Sequence, residues 1–132
     1  MVRLTLEMEW NNLNKLTQLD EVKKESFEKP VLIFKYSTRC STSRMVFDRL
    51  QRNWNEDDGA DVKPYFLDLL VHREISNSVA ARYDVPHESP QVLIIRDDRS
   101  IYDESHFAID FQSIRDFLKN EKSRSAEQKY AD

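Results

Sequence analysis

The chain has 132 residues, of which 39% are hydrophobic and 33% charged, with a net charge of −4. That length supports one domain with its own core, and the charge balance gives no basic surface dense enough for nucleic acid. A single cysteine excludes an internal disulfide, the one glycine excludes a glycine-rich phosphate loop, and no apolar run approaches the roughly 20 residues of a membrane span. The first ten residues lack a cleavage site and place acidic groups within their apolar run, so we expect no signal peptide and a cytoplasmic location.

The first third of the chain predicts an arm, a helix and a central strand. Residues 3–9 are expected to form a short strand or an ordered arm. Apolar spacing predicts a helix over about 15–26, which Asn14 or Thr17 can cap. Pro30 then precedes the run VLIFKY at 31–36, which is rich in residues that favour a buried strand.

A second helix is expected to begin at Cys40, after the small polar turn that follows the central strand. Its apolar side is formed by Val46, Phe47, Leu50 and Trp54. The polar run at 55–59 predicts a turn that ends this helix.

The remaining elements alternate in the same way. Strands are predicted at 62–69 and 91–96, with a short helix between them that ends before Asp84. Residues 97–99 predict a turn, and 100–104 pair back as a hairpin. A last amphipathic helix begins near Phe111, and the charged segment that follows is either a helix extension or a disordered tail. We therefore expect one domain over 1–120 and a charged tail over 121–132.

This order predicts an α/β fold, a mixed sheet with helices on both faces, which is the outline of the thioredoxin fold. Parallel strands need crossover helices, whereas a short turn joins an antiparallel pair. In such folds the proline before the third strand, here Pro90, is cis and lies opposite the reactive thiol. A cis X–Pro bond costs only about 0.5–1 kcal/mol over trans, so a fold can require it.

Cys40 is the candidate catalytic residue because it lies where a buried strand turns into a helix. Free N–H groups and the positive end of the helix dipole favour thiolate over thiol there. Arg39 beside it is a candidate for added positive charge. The alternative is an inert thiol buried in the core.

Ser43 occupies the position at which a dithiol protein carries its second, resolving cysteine. A hydroxyl cannot break a disulfide, although it can hydrogen-bond a thiolate, so the protein is expected to act through one sulfur. Cys40 would attack a mixed disulfide on a client protein, take the small thiol onto itself, and be released by an external thiol. The alternative is that Ser43 is simply an early helix residue.

Several segments resemble the YtxJ-type monothiol bacilliredoxins. They are the strand and turn at 33–40, the segments 67–70 and 72–77, the run VPHESPQVL at 85–93, and Ser105-His106 with Ile109 and Trp10. The resemblance covers about residues 8–118. It implies a thioredoxin fold with one active-site cysteine and a role in removing bacillithiol from oxidised proteins. This chain has Tyr36 where the family often has histidine, and Ser41 where it often has proline.

From this resemblance and the fold, Thr38, His87, Ser89 and Pro90 are candidates for substrate binding, with Ser89 offering its backbone to a client strand. For His87 the alternative is an ordinary surface loop residue. The expected partners are S-thiolated client proteins and a low-molecular-weight thiol, with no membrane or nucleic acid. We expect no cofactor, and no metal site because no pair of candidate ligands has a ligand spacing.

Two other function classes stay open at this point. One is a thioredoxin-fold stress or interaction module whose Cys40 is only a redox sensor, oxidised and capped without turnover. A weaker one is an iron–sulfur carrier of the monothiol glutaredoxin kind, although those proteins have glycine after the cysteine. Thiol transfer from a client to Cys40 discriminates the exchanger from the sensor.

Overall fold

The computed structural model of the protein describes residues 9–54 and 62–130, with side chains described as far as residue 124. The predicted turn at 55–59 and all but the last residue of the predicted arm at 3–9 lie outside the described residues.

The described chain contains strands, helices and one short 3₁₀ turn in an alternating order. The strands are β1 (Asn11–Asn12), β2 (Val31–Tyr36), β3 (Lys63–Asp68), β4 (Gln91–Arg96) and β5 (Arg99–Ser105). The helices are α1 (Gln18–Ser26), α2 (Ser41–Asn53), α3 (Arg73–Tyr83) and α4 (Phe111–Tyr130), and the 3₁₀ turn is His106–Ala108. None of these helices combines the length and apolar character needed to cross a lipid bilayer.

The strands form one mixed sheet in the order β1-β3-β2-β4-β5. β3 pairs in parallel with β1 and β2, whereas β4 pairs antiparallel with β2 and β5. The parallel pair β2–β3 is connected through α2, and the antiparallel pair β4–β5 through a tight turn, as the lengths of the connections require. The predicted mixed sheet is confirmed.

Two cores lie on opposite faces of this sheet, because side chains alternate along each strand. Val31 and Ile33 of β2 point into the core covered by α1 and α3, together with Leu19, Val22 and Val79. The other core lies under α2 and α4 and is formed by Leu32 and Phe34 of β2 with Val46, Leu50, Trp54 and Ile114. The predicted helices on both faces are therefore confirmed, and β2, at the centre, is buried from both sides.

The start of α1 differs from the prediction, and the end of α4 decides between two predicted alternatives. α1 begins at Gln18 rather than near residue 15, because the Gln18 side chain accepts hydrogen bonds from the backbone N–H groups of Asn14 (2.8 Å) and Lys15 (2.9 Å) and closes a separate turn. Thr17 occupies the N-cap position but its side chain makes no capping bond. At the other end α4 continues through Tyr130, so the charged segment extends the helix over its described residues.

Candidate functional site

Cys40 is the N-cap residue of α2, with an extended backbone (φ −109°, ψ 114°). Its N–H donates to Ser37 O at 3.1 Å across the turn, and its carbonyl accepts the first helical bond from Arg44 N at 3.4 Å. The side chain is partly exposed. The turn thus places the sulfur beyond the carboxyl end of the central strand β2, and not among core side chains. The N–H groups at the start of α2, which have no partner within the helix, lie beside it.

These N–H groups lower the pKa of the Cys40 thiol below its ordinary value of 9.0. The largest cause is a hydrogen bond from the backbone N–H of Ser43, and burial opposes it. The backbone N–H of Thr42 and the hydroxyls of Ser43 and Thr42 then add to the lowering. Each favours the thiolate, which is the nucleophilic form. Arg39 is exposed and is not among these groups.

Ser43 is fully buried and connects the thiol turn to the loop before β4. Its Oγ accepts a hydrogen bond from Ser37 N at 3.2 Å and lies 3.4 Å from Ser89 Oγ. A hydroxyl has one proton and two lone pairs. If Ser89 donates to Ser43, both lone pairs are used and the Ser43 proton is left for the Cys40 thiolate. Ser43 is therefore a connecting residue of the site as well as a helix residue.

The loop before β4 carries the predicted proline. The Ser89–Pro90 peptide bond is cis, and Pro90 is buried. The carbonyl of Pro90 accepts a hydrogen bond from His106 N at 2.9 Å, which joins the loop to the end of β5. Through the Ser43–Ser89 contact, this loop meets the first turn of α2. Thr38 lies exposed in the turn that leads to Cys40.

The ring of His87 is held on the α3 side of the sheet rather than by residues around Cys40. Its Nδ1 lies 3.5 Å from Lys35 Nζ and 3.4 Å from Ser76 Oγ, although the residue as a whole is exposed. The pKa of His87 is lowered from 6.5, first by burial of the ring and then by the positive charges of Lys35 and Arg73, against Glu88.

Sequence analysis missed Lys35, a lysine with no exposed surface at the end of the central strand. The available signal was its position. Alternation along β2 places residue 35 on the same face as Val31 and Ile33, where a charged side chain is costly to bury. A lysine on the buried face of a central strand therefore indicates a specific role for its amine.

The two departures from the family pattern have different surroundings. Tyr36 is half-buried, and its ring centroid lies 5.6 Å from that of Phe47 and 5.2 Å from that of Phe66. Trp10 packs on the same group, 5.2 Å from Phe47. Tyr36 thus contributes to an aromatic cluster under α2, whereas Ser41 is exposed at the first helical position.

In the part of the chain that the structure describes, no three or more His, Cys, Asp and Glu side chains lie close enough together to hold a metal ion.

Solved structures with similar backbones are thioredoxin-like. A thioredoxin-fold protein proposed to be an oxidoreductase is 26% identical, with a TM-score of 0.67 over 78% of this chain and 88% of its own. Thioredoxin from Malassezia sympodialis is 13% identical, with a TM-score of 0.67 over 91% of this chain and 96% of its own. Thioredoxin from Fasciola hepatica is 16% identical, with a TM-score of 0.63 over 83% and 97%. The latter two likenesses establish the thioredoxin fold.

The family comparison is more specific than the fold. The family model described as monothiol bacilliredoxin BrxC matches residues 11–114, which contain the five strands described above, the first three helices and the turn with Cys40. Together with the thioredoxin fold and the single cysteine, this match shows that the chain belongs to the monothiol bacilliredoxin family and has a thiol-redox function.

Proposed function

We propose that this protein removes bacillithiol, or a similar small thiol, from mixed disulfides on client proteins by thiol–disulfide exchange at Cys40. The observation that carries the proposal is the position of this sulfur. Cys40 is the N-cap residue of α2 and its thiol has a lowered pKa, while Ser43, three residues later, stands where a resolving cysteine would be.

The first step is attack of the Cys40 thiolate on the small-thiol sulfur of the client's mixed disulfide. A disulfide forms between Cys40 and the small thiol, the client–thiol S–S bond breaks, and the client leaves as a thiolate that takes a proton from water. No net oxidation or reduction occurs, because one disulfide replaces another. The N–H and hydroxyl groups of Ser43 and Thr42 lower the pKa of the Cys40 thiol and so favour the thiolate that attacks.

In the second step a free small-thiol thiolate attacks the small-thiol sulfur bound to Cys40. A small-molecule disulfide leaves, and Cys40 returns as the thiolate. Ser43 has no sulfur with which to resolve the intermediate internally, so the cycle depends on external thiol. A reducing cytoplasm would supply it.

The loop of Ser89 and Pro90 is the proposed docking edge for the client. Its contact with Ser43 brings this edge next to the turn with Cys40, so a client strand that pairs with Ser89 would present its disulfide to the sulfur. Thr38, exposed in the turn that leads to Cys40, is a second proposed contact for the client. We do not propose a direct contact between His87 and the thiol, since the His87 ring lies against Lys35 and Ser76.

The test is incubation of the reduced protein with a purified client that carries a bacillithiol mixed disulfide, in the absence of free thiol, followed by intact-mass spectrometry. We expect one small-thiol adduct on this protein and an equal loss from the client. A parallel client carrying glutathione establishes whether the exchange prefers bacillithiol.

The controls are Cys40→Ala, which should form no adduct, and Ser123→Ala, an exposed serine on α4 whose variant should behave as the wild type. Absence of an adduct from every small-thiol client would contradict the exchanger and favour a module whose thiol is only a sensor. Adduct formation without release by added free thiol would also favour the sensor.

A further inference from the structure

A buried lysine lies beneath the loop that carries the cis proline. Lys35 has no exposed surface, and it lies on the face of β2 that packs against α1 and α3. Burial lowers the pKa of its amine from 10.5 to about 8. Burying an amine costs free energy that an apolar residue in the same place would not incur. The position therefore calls for a reason beyond packing.

The amine of Lys35 joins three elements of the fold. Its Nζ donates a hydrogen bond to the carbonyl of Ser76 in α3 at 3.2 Å and lies 3.5 Å from Nδ1 of His87 in the loop. Ser76 completes the group, because its Oγ lies 3.4 Å from the same Nδ1. Strand β2, helix α3 and the loop thus converge on one buried nitrogen.

The donors and acceptors around the ring favour one state of the histidine. An ammonium group has donors only, so it approaches His87 Nδ1 favourably only when that atom is an acceptor. His87 is then neutral, with its proton on Nε2. The charged groups that face the ring are Lys35 from β2, Arg73 from α3 and Glu88 from its own loop. The two cations disfavour a proton on Nδ1 and thereby preserve the contact.

A second contact fixes the same loop from β4. Gln91 lies directly opposite Lys35 in the β2–β4 pairing, and its Nε2 donates to the carbonyl of Pro86 at 3.0 Å. The loop is therefore held at Pro86 and His87, with Glu88 between them and Ser89, while Ser89 meets Ser43 on the side of the thiol.

We propose that Lys35 is a positioning residue that, through His87, holds the loop of residues 86–90 in place and so sets where Ser89 and Pro90 lie relative to Cys40. Lys35 touches neither the thiol nor the client. Its effect on exchange rests on the proposed function, whereas its contact with His87 does not.

The test compares Lys35→Met, which keeps an unbranched apolar chain as far as Cε and removes the amine, with Lys24→Met, which removes an exposed lysine from α1. The first readout is the titration of the His87 imidazole by NMR. We expect the pKa of His87 to rise in Lys35→Met, because a nearby positive charge is lost, and to stay unchanged in Lys24→Met. An unchanged His87 titration in Lys35→Met overturns the proposal whether or not the protein exchanges thiols.

The second readout is the kinetics of exchange. Misplacing the docking loop should raise the KM for the client about tenfold in Lys35→Met, while the pH at which Cys40 becomes reactive stays as in the wild type. An unchanged KM overturns the proposal, and so does a shift in the reactivity of Cys40, because Lys35 would then act on the thiol itself. If the wild type itself transfers no thiol, the proposed function fails and the NMR titration alone decides the contact.

A double-mutant cycle with His87→Ala tests the route of the effect. If Lys35 acts through His87, the KM of the double variant equals that of His87→Ala within about twofold. If the two effects multiply, Lys35 acts by another route and the proposal is wrong. His87→Ala is also an independent test that leaves Lys35 in place, at a residue that is exposed as a whole. An unchanged KM in that variant overturns the proposal.

Discussion

Ser43 Oγ lies 3.4 Å from Ser89 Oγ, so the first turn of α2 and the loop of the cis proline meet at a pair of hydroxyls. The same Ser43 oxygen accepts a hydrogen bond from Ser37 N, in the turn that leads to Cys40. One buried side chain therefore connects the turn of the thiol to the proposed docking edge.

The reactivity of Cys40 should reach its midpoint at a lower pH than that of a small cysteine derivative. Hydrogen bonds from Ser43 and Thr42 lower the pKa of the thiol, so the thiolate is present above this lowered pKa and is lost as the pH falls through it. The measurement is the rate of iodoacetamide alkylation against pH, with N-acetylcysteine titrated alongside. A midpoint at or above that of N-acetylcysteine would show that the helix start does not activate the sulfur.

Ser43→Ala should move that midpoint to higher pH and lower the free energy of unfolding. The pKa rises because the thiolate loses a hydroxyl donor, while the larger contribution of the Ser43 backbone N–H remains. Stability falls by about 1–3 kcal/mol, because the N–H of Ser37, itself a buried residue, loses its acceptor. Alkylation and urea denaturation measure the two effects. The matched control is Ser123→Ala, and a Ser43→Ala variant identical to it in both assays would remove Ser43 from the site.

Ser43→Cys should convert the one-sulfur cycle into a two-sulfur cycle. A thiolate at residue 43 attacks the sulfur of Cys40 in its disulfide with the small thiol, forms an intramolecular disulfide and expels the small thiol. Incubation with the S-thiolated client should therefore give a protein without an adduct, two mass units lighter than the reduced form, because two thiol hydrogens are lost and the client's mixed disulfide takes up the two electrons. Persistence of the adduct in this variant would mean that residue 43 cannot reach the sulfur and that its identity does not limit resolution.

Lys35→Met should be more stable than the wild type at pH 7, by a margin that shrinks as the pH rises. The pKa of Lys35 is about 8 in the folded protein against an ordinary value of 10.5. Between these values the unfolded chain binds more protons, so wild-type stability rises with pH in this window. The wild type therefore carries the full cost of burying the charged amine below pH 8. Between pH 8 and 10.5 this cost disappears, and the free energy of unfolding of the wild type rises by roughly 3 kcal/mol relative to Lys35→Met.

Urea denaturation of both proteins at pH 7 and 10 measures this margin. Tyrosine ionisation affects both proteins alike and cancels in the difference. A margin that does not depend on pH would mean that Lys35 titrates normally in the folded protein. If Lys35→Met is both more stable at pH 7 and weaker in client binding, the wild type retains the lysine at a cost in stability, as functional sites often do.

The sequence by itself determined the helices, the strands from β2 onward and their order, whereas β1 and the 3₁₀ turn at 106–108 were not predicted. The bounds of β2 and β4 agree with the apolar runs at 31–36 and 91–96, because central strands covered on both faces leave continuous apolar segments. The start of α2 at Cys40 also follows from local signals, since a polar turn and a helical spacing meet there. These features depend on neighbours in sequence and are therefore legible in it.

Tertiary structure decided what the site residues touch. The contacts between Ser43 and Ser89 and between Lys35 and His87 span 46 and 52 positions of the chain, and no local pattern encodes them. The ring of His87, for example, lies against Lys35 of β2 and Ser76 of α3. Even the start of α1 was set by a side chain, Gln18, that closes the turn before it. Apolar periodicity specifies which face of an element is buried, whereas the partners of polar groups are fixed only when the sheet brings distant segments together.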